Sequence, residues 1–393
     1  MKVLYVASDQ VVPGRTGGSV HVLEVAKGLA ARGHDVHAVV HAGEGAPAEE
    51  RVAGVAIHRI RWTPDHRFFR FRARGVVEGL LARTGAEVAI ERYYNFGGEG
   101  VRAAAALGRP SVLEVNSPVV DHAGSLKAAL DAGLGRPLRR YREGLCRQAA
   151  ALLAPIPEIV PAFARAKTEI VTWGANVEAF RPELRREGVR SELGIPPGAV
   201  AVLFSGSHRP WHGVALLEDA ARRLAGRGNL FFLFAGGERC LPRGYRGRHL
   251  GALPYERMPE VVAAADVGVA PYDPSRLAQL SLGFYWSPLK IFEYMACGLP
   301  TVTIRRPPLT AIVREGEEGL LFAEGDAAAL AHAIACLADD PALRARLGRS
   351  ARDRVVARYS WAVHCAQLEA VLERVTGVRG SGPRVGTDGR DRA

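Results

Sequence analysis

Lys290 and Glu293 stand one helical turn apart in the stretch Ser287-Pro288-Leu289-Lys290-Ile291-Phe292-Glu293-Tyr294-Met295-Ala296-Cys297-Gly298-Leu299-Pro300. Lysine before glutamate is the poorer order for an ion pair on a helix surface. A cation in the first turn also opposes the positive end of the helix macrodipole and adds to N–H donors that lack partners there. An anion resolves both conflicts. A phosphate docked on the N-terminus would accept from the free amides and pair with Lys290. Glu293, roughly 4.5 Å further along the axis, then lies about one diphosphate-to-ribose step away. The alternative is a Lys290/Glu293 pair on a solvated face. Ser287 and Lys290 also match the S-x-x-K of serine β-lactamases, but no S-D-N or K-T-G follows.

A second cationic stretch is Ser205-Gly206-Ser207-His208-Arg209-Pro210-Trp211-His212-Gly213. A zinc site on His208 and His212 is excluded, because Pro210 disrupts the helical i,i+4 geometry and no third ligand is within sequence reach. Near the N-terminus, Gly14, Gly17 and Gly18 fall between an apolar run and a helical pattern. Such a turn either admits an anion to backbone amides or is purely structural, and its spacing is not G-x-G-x-x-G. Arg59-Ile60-Arg61-Trp62 and His66-Arg67-Phe68-Phe69-Arg70-Phe71-Arg72-Ala73-Arg74 pack six arginines and four aromatics into sixteen residues. That run suits an anionic membrane surface or a lipid phosphate, single-stranded nucleic acid, or a connector helix with solvated arginines. No RNA-binding signature accompanies it, so no nucleic-acid partner is expected.

The elements that must position these residues are legible as alternation. Ser287 is the expected N-cap of the 288 helix, Pro288 fits its first position, and Gly298 with Pro300 stops it after about three turns. The apolar run Thr301–Ile304 then reads as a strand. Further strands are expected at Lys2–Ala7, Val36–His41, Val55–Ile60, Glu87–Ile90, Ser111–Val115, Thr168–Trp173, Ala199–Phe204, Leu230–Phe234 and Asp266–Ala270, with helical patterns between many of them. This is the pattern of parallel, doubly wound α/β sheets, which bind ligands at the carboxyl ends of their strands. Glu91-Arg92-Tyr93-Tyr94 and Glu114-Val115-Asn116-Ser117-Pro118 sit at two such ends. Asn116 is equally a turn cap before Pro118.

Several of these segments together resemble glycosyltransferase family 4, the retaining GT-B glycosyltransferases. The resemblance covers nearly the whole chain to about Thr376 and is most specific at 205–213 and 283–300. It implies an α/β fold of two doubly wound Rossmann-like domains facing a central cleft. The expected divisions are an acceptor-binding domain at 1–180, a linker at 181–198 and a nucleotide-sugar domain at 199–358. A helix crossing back to the first domain follows at 359–377, with a disordered tail at 378–393. The family carries two glutamates with seven residues between them. Glu293 matches the second and by resemblance binds ribose, whereas Tyr285 occupies the position of the first, which holds the donor sugar. Ser287, Pro288 and Leu289 match a recurrent branch of the family. Arg209 and Lys290 are assigned to the donor diphosphate, with Ser207 in the same loop and His212 where the family has a lysine. Gly17, Gly18 and His21 resemble the Gly-Gly turn facing donor phosphates and acceptor. Gly251 and Leu253 fall in the loop lining the base. Asn116 stands near a family histidine, with Asp121 and His122 nearby.

The implied reaction moves a sugar from a nucleoside diphosphate sugar to an acceptor hydroxyl with retention of configuration. No cofactor is implied beyond that donor, and no metal ligand set, since no Asp-x-Asp occurs. The acceptors considered are lipid-linked, cell-envelope or small-molecule glycans. A catalytically silent nucleotide-sugar-binding subunit is the alternative that the missing first glutamate raises. A GT-B sugar phosphorylase is a further one, but it would require a pyridoxal-bearing lysine.

The 393 residues, 48% hydrophobic and 24% charged, suffice for two cores, and a net charge of +11 favours anionic partners. Five cysteines without a C-x-x-C pair indicate neither disulfide framework nor zinc ribbon. With no apolar run long enough to span a bilayer, a cytoplasmic location is expected, with membrane association through Arg59–Arg74 as one reading.

Overall fold

A computed structural model describes residues 1–14, 16–61, 73–185, 187–238 and 244–377. The tail at 378–393 and the centre of the basic aromatic run, 62–72, lie outside the described residues. Of the arginines at that run's start, Arg59 donates to the carbonyls of Val12 and Pro47 and pairs with Glu50, and Arg61 donates to the Ala46 carbonyl. Those two are engaged by neighbouring segments of the same unit. Among the described residues no helix is long and apolar enough to cross a membrane.

The chain forms two compact units. One comprises 1–171 and the chain from Ala362, and the other Thr172–Trp361. The first is built on strands β1 (Lys2–Val11), β2 (Asp35–His41), β3 (Glu49–Val52), β4 (Val55–Ile60), β5 (Val88–Tyr93), β6 (Ser111–Val115), β7 (Ala151–Ala154) and β8 (Thr168–Ile170). Their order is β3-β4-β2-β1-β5-β6-β7-β8. Val3–Ala7 of β1 are fully buried, as a central parallel strand covered on both faces must be, and hence the unbroken apolar run. The β3–β4 edge is antiparallel, joined across Ala53 and Gly54, both at positive φ. Such a two-residue turn matches strand twist, so a polar edge strand pairs without an apolar signal of its own.

The last helix, Trp361–Thr376, belongs largely to this first unit. Its Glu369 accepts from Arg32 and from His34 Nε2 at 2.8 Å. Gly28 makes room for it: a Cβ there would stand 2.4 Å from Cys365 Sγ.

The second unit contains β9 (Val200–Ser205), β10 (Leu230–Ala235), β11 (Gly247–Gly251), β12 (Val267–Ala270), β13 (Thr301–Ile304) and β14 (Gly319–Phe322). They form a parallel sheet in the order β11-β10-β9-β12-β13-β14. The connection between β9 and β12 crosses over β10 and β11, so the strand order reverses beside β9, and the carboxyl end of β9 is where a ligand crevice is expected. The stretch 181–198, expected as a linker, packs within this unit. Its Glu187–Glu192 helix buries Arg190, which donates to the Ala264 and Ala199 carbonyls and pairs with Asp266 at 3.0 Å.

Arg352 ties three segments of the second unit together. Its Nη1 lies 3.0, 2.9 and 2.8 Å from the carbonyl oxygens of Val177, Phe180 and Ala296. Arg352→Leu would leave these acceptors without their cation and is expected to destabilise by roughly 2–3 kcal/mol. Arg352→Lys should lose less. Urea unfolding of the two variants measures the difference, and equal stability to wild type would show the contact to be unimportant.

Candidate functional site

The 288 helix runs Leu289–Ala296, about two turns, and starts differently from expectation. Pro288 is the N-cap residue and supplies no side-chain cap. The Ser287 hydroxyl instead accepts from the Trp173 N–H at 3.0 Å. Three backbone amides of the first turn are also engaged: Leu289 N–H by the Ser287 carbonyl, and Ile291 and Phe292 N–H by that of Pro288. The positive end of this helix is therefore carried chiefly by Lys290.

Lys290 is buried, only 9% exposed, and its Nζ makes no hydrogen bond. The ammonium lies 4.1 Å from the centre of the Phe204 ring and 5.2 Å from that of Tyr272. It also touches the turn after β9: a Cβ on Gly206, at φ +129°, would stand 2.9 Å from Nζ. Burial lowers its pKa to about 7 against a partial opposing pull from Glu293. No Lys290–Glu293 ion pair within 4.0 Å forms among the described residues, so the solvated-pair alternative is not what the helix adopts. Glu293 is likewise buried and accepts from the Tyr255 hydroxyl at 2.9 Å. Burial raises its pKa to about 7, opposed by the Tyr255 hydrogen bond and by Lys290.

The turn at 205–213 closes around this ammonium. His212 is buried, and its Nδ1 meets the Ser207 carbonyl, with the Ser207 hydroxyl at 3.3 Å. Burial and the neighbouring Lys290 lower His212 to about 3, so it is neutral at neutral pH. Arg209 is exposed at the start of the Pro210–His212 turn. Gly251, at the end of β11, accepts from the Gly236 N–H at 2.8 Å, and Leu253 is half-buried in the following loop. Tyr285 is buried, and burial raises its phenol to about 12. Ser207, Arg209, His212, Lys290 and Glu293 are thus gathered about the end of β9. Tyr255, Phe204 and Tyr272 complete the arrangement and carried no sequence signal beyond membership of apolar or loop stretches.

In the first unit, Gly17 and Gly18 open the Gly17–Ala31 helix behind Thr16, whose hydroxyl accepts from Ser19 N–H at 3.2 Å. A Cβ on Gly18 would approach Gln10 Oε1 to 2.4 Å and Arg92 Nη2 to 3.2 Å. His21 is not a surface residue: it is fully buried, with Nε2 2.7 Å from Glu114 Oε1 and Nδ1 3.3 Å from Arg92 Nη1. Tyr5 donates to Glu114 Oε2 at 2.6 Å. Burial holds the His21 imidazole down at about 4, despite Glu114. Burial alone would push the Glu114 carboxyl up, yet His21, Arg92 and Tyr5 hold it low. His364, on the last helix, meets His21 edge-on at 5.6 Å. The ligand atoms of His21, Glu114 and His364 lie within 4.8 Å of one another, the one such metal-compatible group among the described residues. The Arg92 guanidinium beside His21 makes this a charge network in which a metal cation would meet repulsion.

The remaining residues are structurally committed. Asp121 accepts from Arg142 at 2.8 and 3.0 Å, and Asn116 Nδ2 reaches the Glu114 carbonyl at 3.4 Å. Glu91, at a strand end with the appearance of an acceptor site, instead takes the Gly98 and Val101 amides and caps the Glu99–Ala106 helix.

Residues 15–171 match the family model described as Glycosyltransferase Family 4, and 199–340 that described as Glycosyl transferases group 1. A D-inositol 3-phosphate glycosyltransferase of Corynebacterium glutamicum is 30% identical over 224 residues, 52% of this chain and 51% of that protein. The chain thus spans about half the length of such curated relatives. A protein of the same description from Thermomonospora curvata is 27% identical over 94% of this chain and 93% of its own. Anabaena HepE, solved in complex with UDP and glucose, superposes with a TM-score of 0.69 at 16% identity, covering 95% of this chain and 99% of that one. That likeness shows a shared fold.

Lys290→Met tests the electrostatics of the site without a substrate. A lysine whose folded pKa is depressed gives its full stability above the unfolded value of 10.5 and loses it as pH falls through about 7. Ligand-free Lys290→Met should therefore melt higher than wild type at pH 7, by about 2–4 °C for each kcal/mol relieved. The gap should shrink toward pH 10. Calorimetry across pH 7–10 reads it, and a lower melting temperature for the variant would show Lys290 to be stabilising.

Proposed function

The chain belongs to glycosyltransferase family 4, and from that premise we propose that it transfers a sugar from a nucleoside diphosphate sugar to an acceptor hydroxyl with retention of configuration. The observation that carries the reading is Lys290: a buried ammonium without a hydrogen bond, held against a glycine turn at the strand-order reversal. A buried cation in that state is strongly disfavoured unless a ligand supplies the opposite charge. A diphosphate there would meet Lys290 directly, with Arg209 reaching from the exposed side of the same loop. Its approach would restore the lysine to full charge and lower its energy as negative charge builds on the leaving group. Neutral His212 adds a polar ring without adding repulsion.

Glu293, one turn further on, is positioned for the ribose hydroxyls. Tyr255 already donates to it, so the carboxylate is oriented before a nucleotide arrives. The charge on the leaving diphosphate is met by these side chains, and the departing phosphate oxygen is the base for the acceptor proton. HepE, bound to UDP and glucose in its crystal structure, supports a nucleotide-sugar donor, as do the relatives named as glycosyltransferases.

Lys290→Ala should lower turnover about 10²-fold or more, the usual scale for losing one preorganised donor to developing negative charge. Glu293→Ala should weaken nucleotide diphosphate binding by roughly 1.5–3 kcal/mol. Release of nucleoside diphosphate with and without acceptor, together with titration calorimetry, checks both. Near-normal turnover in Lys290→Ala would remove the donor from this helix. Activity is also expected to survive chelation by EDTA, and strict dependence on added magnesium or manganese would contradict the proposed charge balance.

A further inference from the structure

One row of leucines in the first unit is turned outward, and from it we propose that this unit seats on an anionic lipid bilayer. The helix Leu126–Gly133 follows the loop after β6. Leu126, Leu130 and Leu134, at i, i+4 and i+8, share one face and are 74, 62 and 78% exposed. Ala129, Ala132 and Gly133 are exposed as well, so every exposed residue of the helix is apolar. Its two ionisable side chains are engaged within the unit. Asp131 is buried and accepts from the Leu138 and Arg139 amides at 2.8 and 2.9 Å, and Lys127 donates to Asn95 at 3.2 Å. A helix that only faced water would carry its charges on that side, and a contiguous apolar row marks a surface that something covers. The row is also braced. Asp131 joins it to the next helix, Pro137–Gln148, whose Arg142 donates to Asp121 and to the Val119 carbonyl in the loop before the row.

The charges at the end of the row select its occupant. Arg136, Arg139 and Arg140 follow Leu134 closely and are all exposed, and no exposed acid occurs from Ala123 to Arg140. Arg139 pairs with Glu143, whereas the side chains of Arg136 and Arg140 have no partner among the described residues. Arg136 also takes a left-handed φ of 63°, a conformation that favours glycine, directly after Gly135. Leucines beside free guanidiniums suit a helix lying in the headgroup region of an anionic bilayer, with the leucines among acyl chains and the cations on lipid phosphates. A second copy of this chain suits it less. In a two-fold contact on this helix the same arginines would approach from both copies, like charge against like. Eight residues are also few against the about 800 Å² per partner of a standard interface. The surface is distinct in sequence from the basic aromatic run at 59–74, and its assignment is independent of the donor reading.

The test is co-sedimentation of the full chain with vesicles of phosphatidylglycerol and phosphatidylcholine in equal parts, compared with phosphatidylcholine alone. Wild type should prefer the anionic vesicles by about tenfold or more and lose most of that margin at high salt. The combined change Leu126→Ser, Leu130→Ser and Leu134→Ser should weaken binding about 10²-fold, because three apolar side chains no longer leave water. Its melting temperature should match wild type, since those positions are already solvated. Arg136→Ser with Arg140→Ser should weaken binding about 25-fold, roughly fivefold for each cation at an anionic surface. Arg67→Ser, Arg70→Ser and Arg72→Ser together should leave the leucine-dependent part in place. Normal binding by the leucine variant, with loss in the variant at 67, 70 and 72, would overturn the proposal and assign the membrane to the other run. A wild type that ignores anionic vesicles at low salt would overturn it too, and if it sediments as a dimer that the leucine variant splits, the row is a contact between copies.

Discussion

A positive charge with nowhere to go organises the second unit. The Lys290 ammonium is cut off from solvent, lies over the Phe204 ring, and finds a glycine where any other residue would press a Cβ toward its nitrogen. Aromatic faces offset part of the lost hydration, but only part, which is why burial brings the amine close to neutrality. Glu293 is in the mirror-image position, a carboxylate raised by burial and steadied by one phenol. Two opposite charges in one helix, kept apart and both underprovided, leave room for a ligand that carries phosphate at one end and hydroxyls at the other.

The first unit solves the reverse problem. Its buried charges are matched: Glu114 receives Tyr5 and adjoins His21, which Arg92 backs from the other nitrogen, and Asp121 is bound by Arg142. Polar groups at the ends of β5 and β6 are thus held in fixed orientation by one another. A rigid, internally satisfied network on one unit and an unsatisfied one on the other differ in kind, because only the second changes its charge balance strongly when an anion arrives.

Much of this was legible in the sequence because parallel strands are apolar throughout. Ser111–Val115 and Thr301–Ile304 have the expected limits, and the last helix, expected at 359–377, runs Trp361–Thr376. Short strands were not. Ala151–Ala154 is half alanine, a helix former, and Gly247–Gly251 and Gly319–Phe322 owe their extended form to the neighbours they pair with. At the site, the conflict of Lys290 with its helix dipole was readable from one turn of sequence. The engagement of Ser287 by Trp173 was not, because it joins residues 114 apart. The same holds for His21: a histidine in the first turn of a helix reads as surface until the distant Glu114 and His364 are brought to it.

Glu369 and Cys365 belong to the last helix of the chain, yet they meet Arg32, His34 and Gly28 near its beginning. The second unit is therefore inserted, in sequence, between the body of the first and its closing helix. During synthesis the second unit has all its strands before the first has its final piece. Until residue 372 emerges, the surface that will receive Leu368 and Leu372, each buried to within 1%, stays uncovered. In a nascent chain of this order the later unit is fully made before the earlier unit receives its closing helix.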